Sequence, residues 1–193
     1  LRSARRWKKY YCLDMVKFFD IFMKENQELV AVKYFSDRTY DLEKSRNQNA
    51  FFQANKENSR FHLILGKYLK KSFECYNCHR IIHTYEEKES DVRIATQIVA
   101  DAYQDNCDVA IVVSADSDMI PAIELAKEAG KQVYAYFPPN QQSSNLRTLC
   151  GRTIDLVRYE NRFKQCLLPD VVHLKASNFD LHIPEKWKNH QQG

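Results

Sequence analysis

A chain of 193 residues with 44% hydrophobic content can bury a substantial core but is too short for two full domains. No apolar run approaches the roughly 20 residues of a membrane span, and the basic residues 1–9 are not followed by an apolar signal core, so a soluble, cytoplasmic protein without a membrane partner is expected. A net charge of +4 permits a polyanionic partner without requiring one, and four glycines are too few for a phosphate-cradling loop, which argues against the usual nucleotide-binding folds.

The chain opens with Arg2, Arg5, Arg6, Lys8 and Lys9 around Trp7, Tyr10 and Tyr11. That mixture can neutralise phosphate and stack on unpaired bases, or it is a solvated end whose aromatics pack on the domain. Leu13, Val16, Phe19, Phe22 and Met23 recur at helical spacing, and Leu29 to Phe35 reads as a strand. The polar stretch 36–48 predicts a loop entering a helix through Phe51, Phe52 and Asn55. Phe61 to Leu65 is the next strand, ended by Gly66.

Six cysteines at irregular spacing, with no secretion signal evident, point to thiols rather than a disulfide frame. Cys75-Tyr76-Asn77-Cys78 is the exception. Its two-residue gap lets both sulfurs turn toward one ion, with His79 and His83 close in sequence, so a structural zinc held by Cys75, Cys78 and His83 stands beside the plainer reading of a turn with two ordinary thiols. Cys12, Cys107, Cys150 and Cys166 read as core thiols.

Glu86-Glu87-Lys88-Glu89-Ser90-Asp91 leads into Val92, Ala95, Ile98, Val99 and Ala102, an amphipathic helix with Asp91 in its first turn. Val109 to Val113 is a continuous apolar run, the mark of a strand buried on both faces, and it ends in Ser114-Ala115-Asp116-Ser117-Asp118. Met119, Ile120, Ile123, Leu125 and Ala126 with Gly130 beyond predict a helix with a glycine stop. Gln132 to Phe137 is a strand, Ser144 to Leu149 a short helix and Thr153 to Val157 a strand. From Glu160 the pattern is irregular, a tail lying over the domain with Trp187 as its anchor. Strands alternating with helices predict an α/β fold with a parallel sheet between helical layers.

If the helix from Asp91 is the crossover feeding strand 109–113, its first turn lies at the edge where parallel strands end, so Asp91 and Asp116 can meet there. Carboxylates converging in a crevice repel unless a proton or cation lies between them, and an all-oxygen ligand set suits Mg²⁺ or Mn²⁺. The plainer reading is that such aspartates cap helices. The histidines give no evident catalytic base, and neither Cys107 nor Ser114 has a His and acid at nucleophile spacing.

Glu86-Glu87-Lys88-x-x-Asp91-Val92, Ser114-x-Asp116-Ser117-Asp118 with Pro121-Ala122, and Ala129-Gly130-Lys131-x-Val133 resemble the NYN domains of the PIN-like nuclease superfamily. The likeness continues through Phe137-Pro138-Pro139, Leu146-Arg147 and Leu168-Pro169-Asp170. It implies a parallel-stranded, Rossmann-like (PIN-like) three-layer sandwich over residues 1–160, with a Cys/His insert at 74–84 and a packed extension over 161–193. It further implies a metal-dependent endoribonuclease in which Asp91, Asp116 and Asp118 hold Mg²⁺ or Mn²⁺. Lys88, Ser114, Arg5, Arg6 and Arg147 are the candidate contacts to RNA, and a homo-oligomer is compatible with the sequence.

One departure stands out. The family's first strand, ending in Asp-x-x-Asn, is expected upstream of Leu1, in mid-sheet, where its absence leaves an apolar slot and unpaired ladder groups. A catalytically impaired NYN-fold module that binds RNA or regulates is therefore the alternative reading. A metal-dependent transferase using Asp-x-Asp is a third, disfavoured by the missing glycine loop.

Overall fold

The computed structural model describes Trp7, residues 10–39 and residues 41–188; for residues 67–71, 82–88, 186 and 188 it describes the backbone alone. In chain order the elements are α1 (Met15–Asp20), β1 (Val32–Ser36), α2 (Leu42–Lys56), β2 (Phe61–Leu65), β3 (Lys67–Glu74), β4 (Ile81–Lys88), α3 (Ser90–Tyr103), β5 (Val109–Val112), a 3₁₀ turn (Ser117–Met119), α4 (Ile120–Glu128), β6 (Gln132–Phe137), α5 (Ser144–Leu149), β7 (Arg152–Asp155), α6 (Glu160–Gln165), β8 (Val171–Leu174), β9 (Phe179–His182) and α7 (Glu185–Lys188).

The parallel strands fall into two sheets, β1-β2 and β5-β6-β7, with no ladder between them among the described residues. β6 shows why helices lie on both faces of the larger sheet. Its alternate residues Val133, Ala135 and Phe137 join a core with Met119, Ile123, Ala126 and Leu146, whereas Tyr136 joins one with Phe18, Phe19, Phe22 and Phe163. A strand buried on both faces reads as a nearly continuous apolar run, as β6 does from Val133 to Phe137. Val32 and Phe61 of the smaller sheet share the Tyr136 core, so one apolar cluster ties the two sheets.

Local signals set the boundaries. The Asp14 side chain accepts from Lys17 N–H and that of Asp41 from Lys44 N–H, capping α1 and α2. Because of the second cap, α2 begins at Leu42, inside the stretch expected to be a loop. Two antiparallel hairpins, β3-β4 and β8-β9, also depart from expectation. Glu86 to Lys88 belongs to β4 rather than to a helix approach, and the stretch after 160 is regular rather than irregular. Leu168, Ile183 and Trp187 from that stretch bury against Phe51 and Phe52 of α2.

At the start of the described chain, the rings of Trp7 and Tyr10 lie 5.2 and 5.4 Å from Phe163, and the Tyr10 hydroxyl donates to Glu160 at 2.8 Å. Tyr10 is a core residue and Trp7 packs half-buried against that core, so these two rings are engaged in the fold. Arg5 and Arg6 lie outside the described residues.

Candidate active site

Helix α3 fixes the geometry. Near its carboxyl end Asp101 takes Lys33 Nζ, from the start of β1, at 2.6 Å. At its amino end Ser90 Oγ donates to Asp37 Oδ2, just past the end of β1, at 2.9 Å. α3 therefore runs antiparallel to β1, and the short link from Tyr103 to Val109 makes it antiparallel to β5 as well. Its first turn, with Asp91, thus sits at the carboxyl edge of the parallel strands, where Asp37 and Asp116 also lie. α3 packs directly on the 117–119 turn. A carboxylate in the first turn of a helix is favoured by the helix dipole, which here supports Asp91.

Asp116 caps the 3₁₀ turn: its Oδ1 accepts from Asp118 N–H at 3.0 Å, and its own N–H donates to Ser114 Oγ at 3.0 Å. The capping role anticipated as the plainer reading is thus present, and Oδ2 is left over. Ser114 shapes the loop by holding the Asp116 backbone. Asp91, Asp116 and Asp118 are all exposed. Among the described residues no three His, Cys, Asp or Glu side chains are gathered closely enough to hold an ion, so the topology brings the aspartates to one edge without converging them.

Asp37 was not singled out by sequence. It is 7% exposed, and its Oδ1 is buried with no hydrogen-bond partner. Gly66 makes room for it: a Cβ there would lie 2.2 Å from Asp37 Oδ1 and 2.9 Å from Ser90 Oγ, so a larger residue would have to displace the carboxylate. The available signal was an acid directly following a strand, with a glycine ending the partner strand.

The other candidates are dispersed. Arg147 pairs with Asp155, which is itself buried at the end of β7, and its guanidinium lies 4.7 Å from the Phe137 ring centre; this charge is engaged in the fold. The backbone of Lys88 ends β4 opposite Lys67, and that of His83 stands opposite Ser72; their side chains are outside the described set. Cys75 and Cys78 sit at the tip of the β3-β4 hairpin, with no third ligand gathered beside them among the described residues.

The NYN domain family model matches residues 3–157. The chain belongs to the NYN domain family. That family falls within the PIN-like nuclease superfamily, whose members are nucleases that typically use divalent metals and act on RNA. A crystal structure of a protein of unknown function from Vibrio parahaemolyticus shares the fold: the TM-score is 0.51 at 20% identity, covering 74% of this chain and 77% of the other. No curated protein matches this NYN domain. Among its described residues no helix is long and apolar enough to cross a membrane.

Proposed function

We propose that this NYN domain is a metal-dependent endoribonuclease of the cytoplasm, with a PIN-like three-layer architecture and its active site at the carboxyl edge of the parallel strands. The observation that carries the reading is the arrival of Asp91, Asp116 and Asp118 at one edge from two different elements, in a family of nucleases.

The donor chemistry fits Mg²⁺ or Mn²⁺, which prefer carboxylate and water oxygens. Like charges without a cation between them are held apart by repulsion, and all three aspartates are exposed, Asp91 in the first turn of α3 and Asp116 and Asp118 at the 3₁₀ turn, so their side chains are free to turn toward an ion. When bound, a divalent ion supplies hydroxide at neutral pH and neutralises charge on the phosphate. The residues of the chain do the rest. Asp91 and Asp118 offer whole carboxylates, Asp116 offers Oδ2 while Oδ1 fixes the turn, and Ser114 holds the Asp116 backbone. Asp37, through Ser90, locks the turn that carries Asp91.

The test is Asp116→Asn. Asparagine caps a helix about as well as aspartate but loses the charge, so folding should be unchanged while metal-dependent RNA cleavage falls on the order of 100-fold or more. Undiminished cleavage by this variant would remove Asp116 from the reaction.

A second reading is favoured by the dispersal of the three carboxylates: an RNA-binding module that does not cut. It is distinguished by salt-sensitive RNA binding with no product in the presence of Mg²⁺ or Mn²⁺.

A further inference from the structure

Three aspartates and one divalent ion leave a net negative charge at the carboxyl edge, and a phosphate chain lying across that edge is repelled unless cations flank the acids. Two exposed arginines stand just past strands at this edge, Arg158 after β7 and Arg38 after β1, and the proposed reaction uses neither.

Strand register places Arg158. Val112 pairs with Ala135 and Phe137 with Asp155, so Asp155 stands two residues past the level of Val112, the step at which β5 has given way to Ser114 and the aspartate loop. Two strand spacings, about 10 Å, separate β7 from β5. Asp155 is buried, and its Oδ1 takes Arg147 together with Gln142 Nε2 at 3.5 Å. Its Oδ2 has Arg158 at 3.7 Å, beyond hydrogen-bond reach, and the Arg158 side chain is 77% exposed. One carboxylate thus faces two guanidinium groups. Arg147 satisfies it and is held in the fold, so Arg158 adds a positive charge that is left to water.

Arg38 lies on the other side of the acids. Asp37, directly before it, is buried on Ser90, the neighbour of Asp91, and α3 packs against both β1 and the 117–119 turn. Arg38 itself is exposed and pairs with no acid among the described residues. Each flank of the aspartates therefore carries a cation that the fold does not use.

We propose that Arg38 and Arg158 each hold one backbone phosphate of an RNA strand laid across the carboxyl edge, flanking the phosphate presented to Asp91, Asp116 and Asp118. Arginine suits that role, since its planar fork of donors pairs two phosphate oxygens at once. The inference rests on that edge being the RNA site of the proposed function, but not on cleavage there.

The full chain is titrated with a fluorescently labelled single-stranded RNA in chelator, which stops metal-dependent cleavage, and affinity is followed by anisotropy across a KCl series. Each phosphate contact on a single strand contributes about 0.7 to the slope of log affinity against log salt. Arg38→Ala and Arg158→Ala should each lower that slope by about 0.7 and the double variant by about 1.4, while Arg38→Lys and Arg158→Lys restore it. Lys175→Ala removes the same charge at the opposite edge, beside the Glu57 cap that ends α2 ahead of β2, and should leave the slope unchanged. A slope that stays at the parent value in Arg38→Ala or Arg158→Ala, or that falls equally in Lys175→Ala, would overturn the proposal. Lowered slopes in a chain that gives no product with Mn²⁺ would leave these contacts standing and remove the nuclease reading instead; cleavage with unaltered slopes would do the reverse.

Discussion

The two ends of α3 treat their acids in opposite ways. At the carboxyl end Asp101 is surrounded by donors: Lys33 Nζ at 2.6 Å, Asn106 Nδ2 at 3.0 Å and Gln97 Nε2 at 3.1 Å. Burial works against its ionisation, but those bonds outweigh it and hold its carboxyl below the usual range. At the amino end Asp37 is more completely buried and has one oxygen unpartnered, while Asp91, Asp116 and Asp118 have no cationic partner among the described residues. An acid whose charge the fold neutralises holds the fold together, whereas a carboxylate oxygen buried without a partner, as in Asp37, costs stability.

Three changes sharpen the contrast. Gly66→Ala should have the largest effect, because its Cβ would overlap Asp37 Oδ1 at 2.2 Å and force the carboxylate off Ser90. Overpacking of this kind costs about 1–3 kcal/mol, read as a lower urea midpoint with an unchanged slope. An unchanged midpoint would mean that the three elements meeting at Gly66 can part freely.

Lys33→Ala should cost about 1–2 kcal/mol, since Asp101 is then left partly buried with only neutral donors, discounted for the exposure of the pair. The pH dependence follows from the sign of the shift. Asp101 has a folded pKa below its unfolded value of about 3.9, so its contribution is complete above that value and is lost as pH falls through the lower folded one. Lys33→Ala should flatten this acid limb of the stability curve; a limb of unchanged steepness would assign it to other carboxylates.

The smallest effect on stability belongs to Asp37→Asn. The amide retains an acceptor for Ser90 and removes a buried charge, so the melting temperature should hold or rise slightly. Metal-dependent cleavage should nonetheless fall, because the turn that carries Asp91 loses its charge-assisted clamp. A purely structural Asp37 would leave cleavage at the level of the parent chain.

Much of this fold was legible because its signals are local. The apolar runs at 61–65, 109–113 and 132–137 and the 3.6-residue periodicity of 91–102 all became the elements they predict. The β3-β4 hairpin was not legible, because Lys67 to Glu74 is interrupted by charge and Glu86-Glu87-Lys88 resembles the approach to a helix. Asp41 moved the start of α2 forward by supplying a cap within a polar stretch whose residues carry no apolar pattern. At the site, Asp91, Asp116 and Asp118 follow from topology, since any crossover places them at one edge. Asp37 does not: its partners Gly66 and Ser90 are distant in sequence, and only folding brings a carboxylate, a glycine and a hydroxyl together. Arg147 is a candidate RNA contact in the sequence because its counter-charge, Asp155, lies on the following strand and becomes its neighbour only in the fold.

In the proposed site, aspartates on separate elements share one divalent ion. Mn²⁺ binding to the full chain, followed by electron paramagnetic resonance in the parent, Asp91→Asn and Asp116→Asn, tests it directly. Binding should be weakened at least about tenfold by either single change, with no further loss on combining them that exceeds the sum. Equal Mn²⁺ affinity in Asp91→Asn and the parent would contradict it, leaving Asp116 and Asp118 as the two acids of a capped turn.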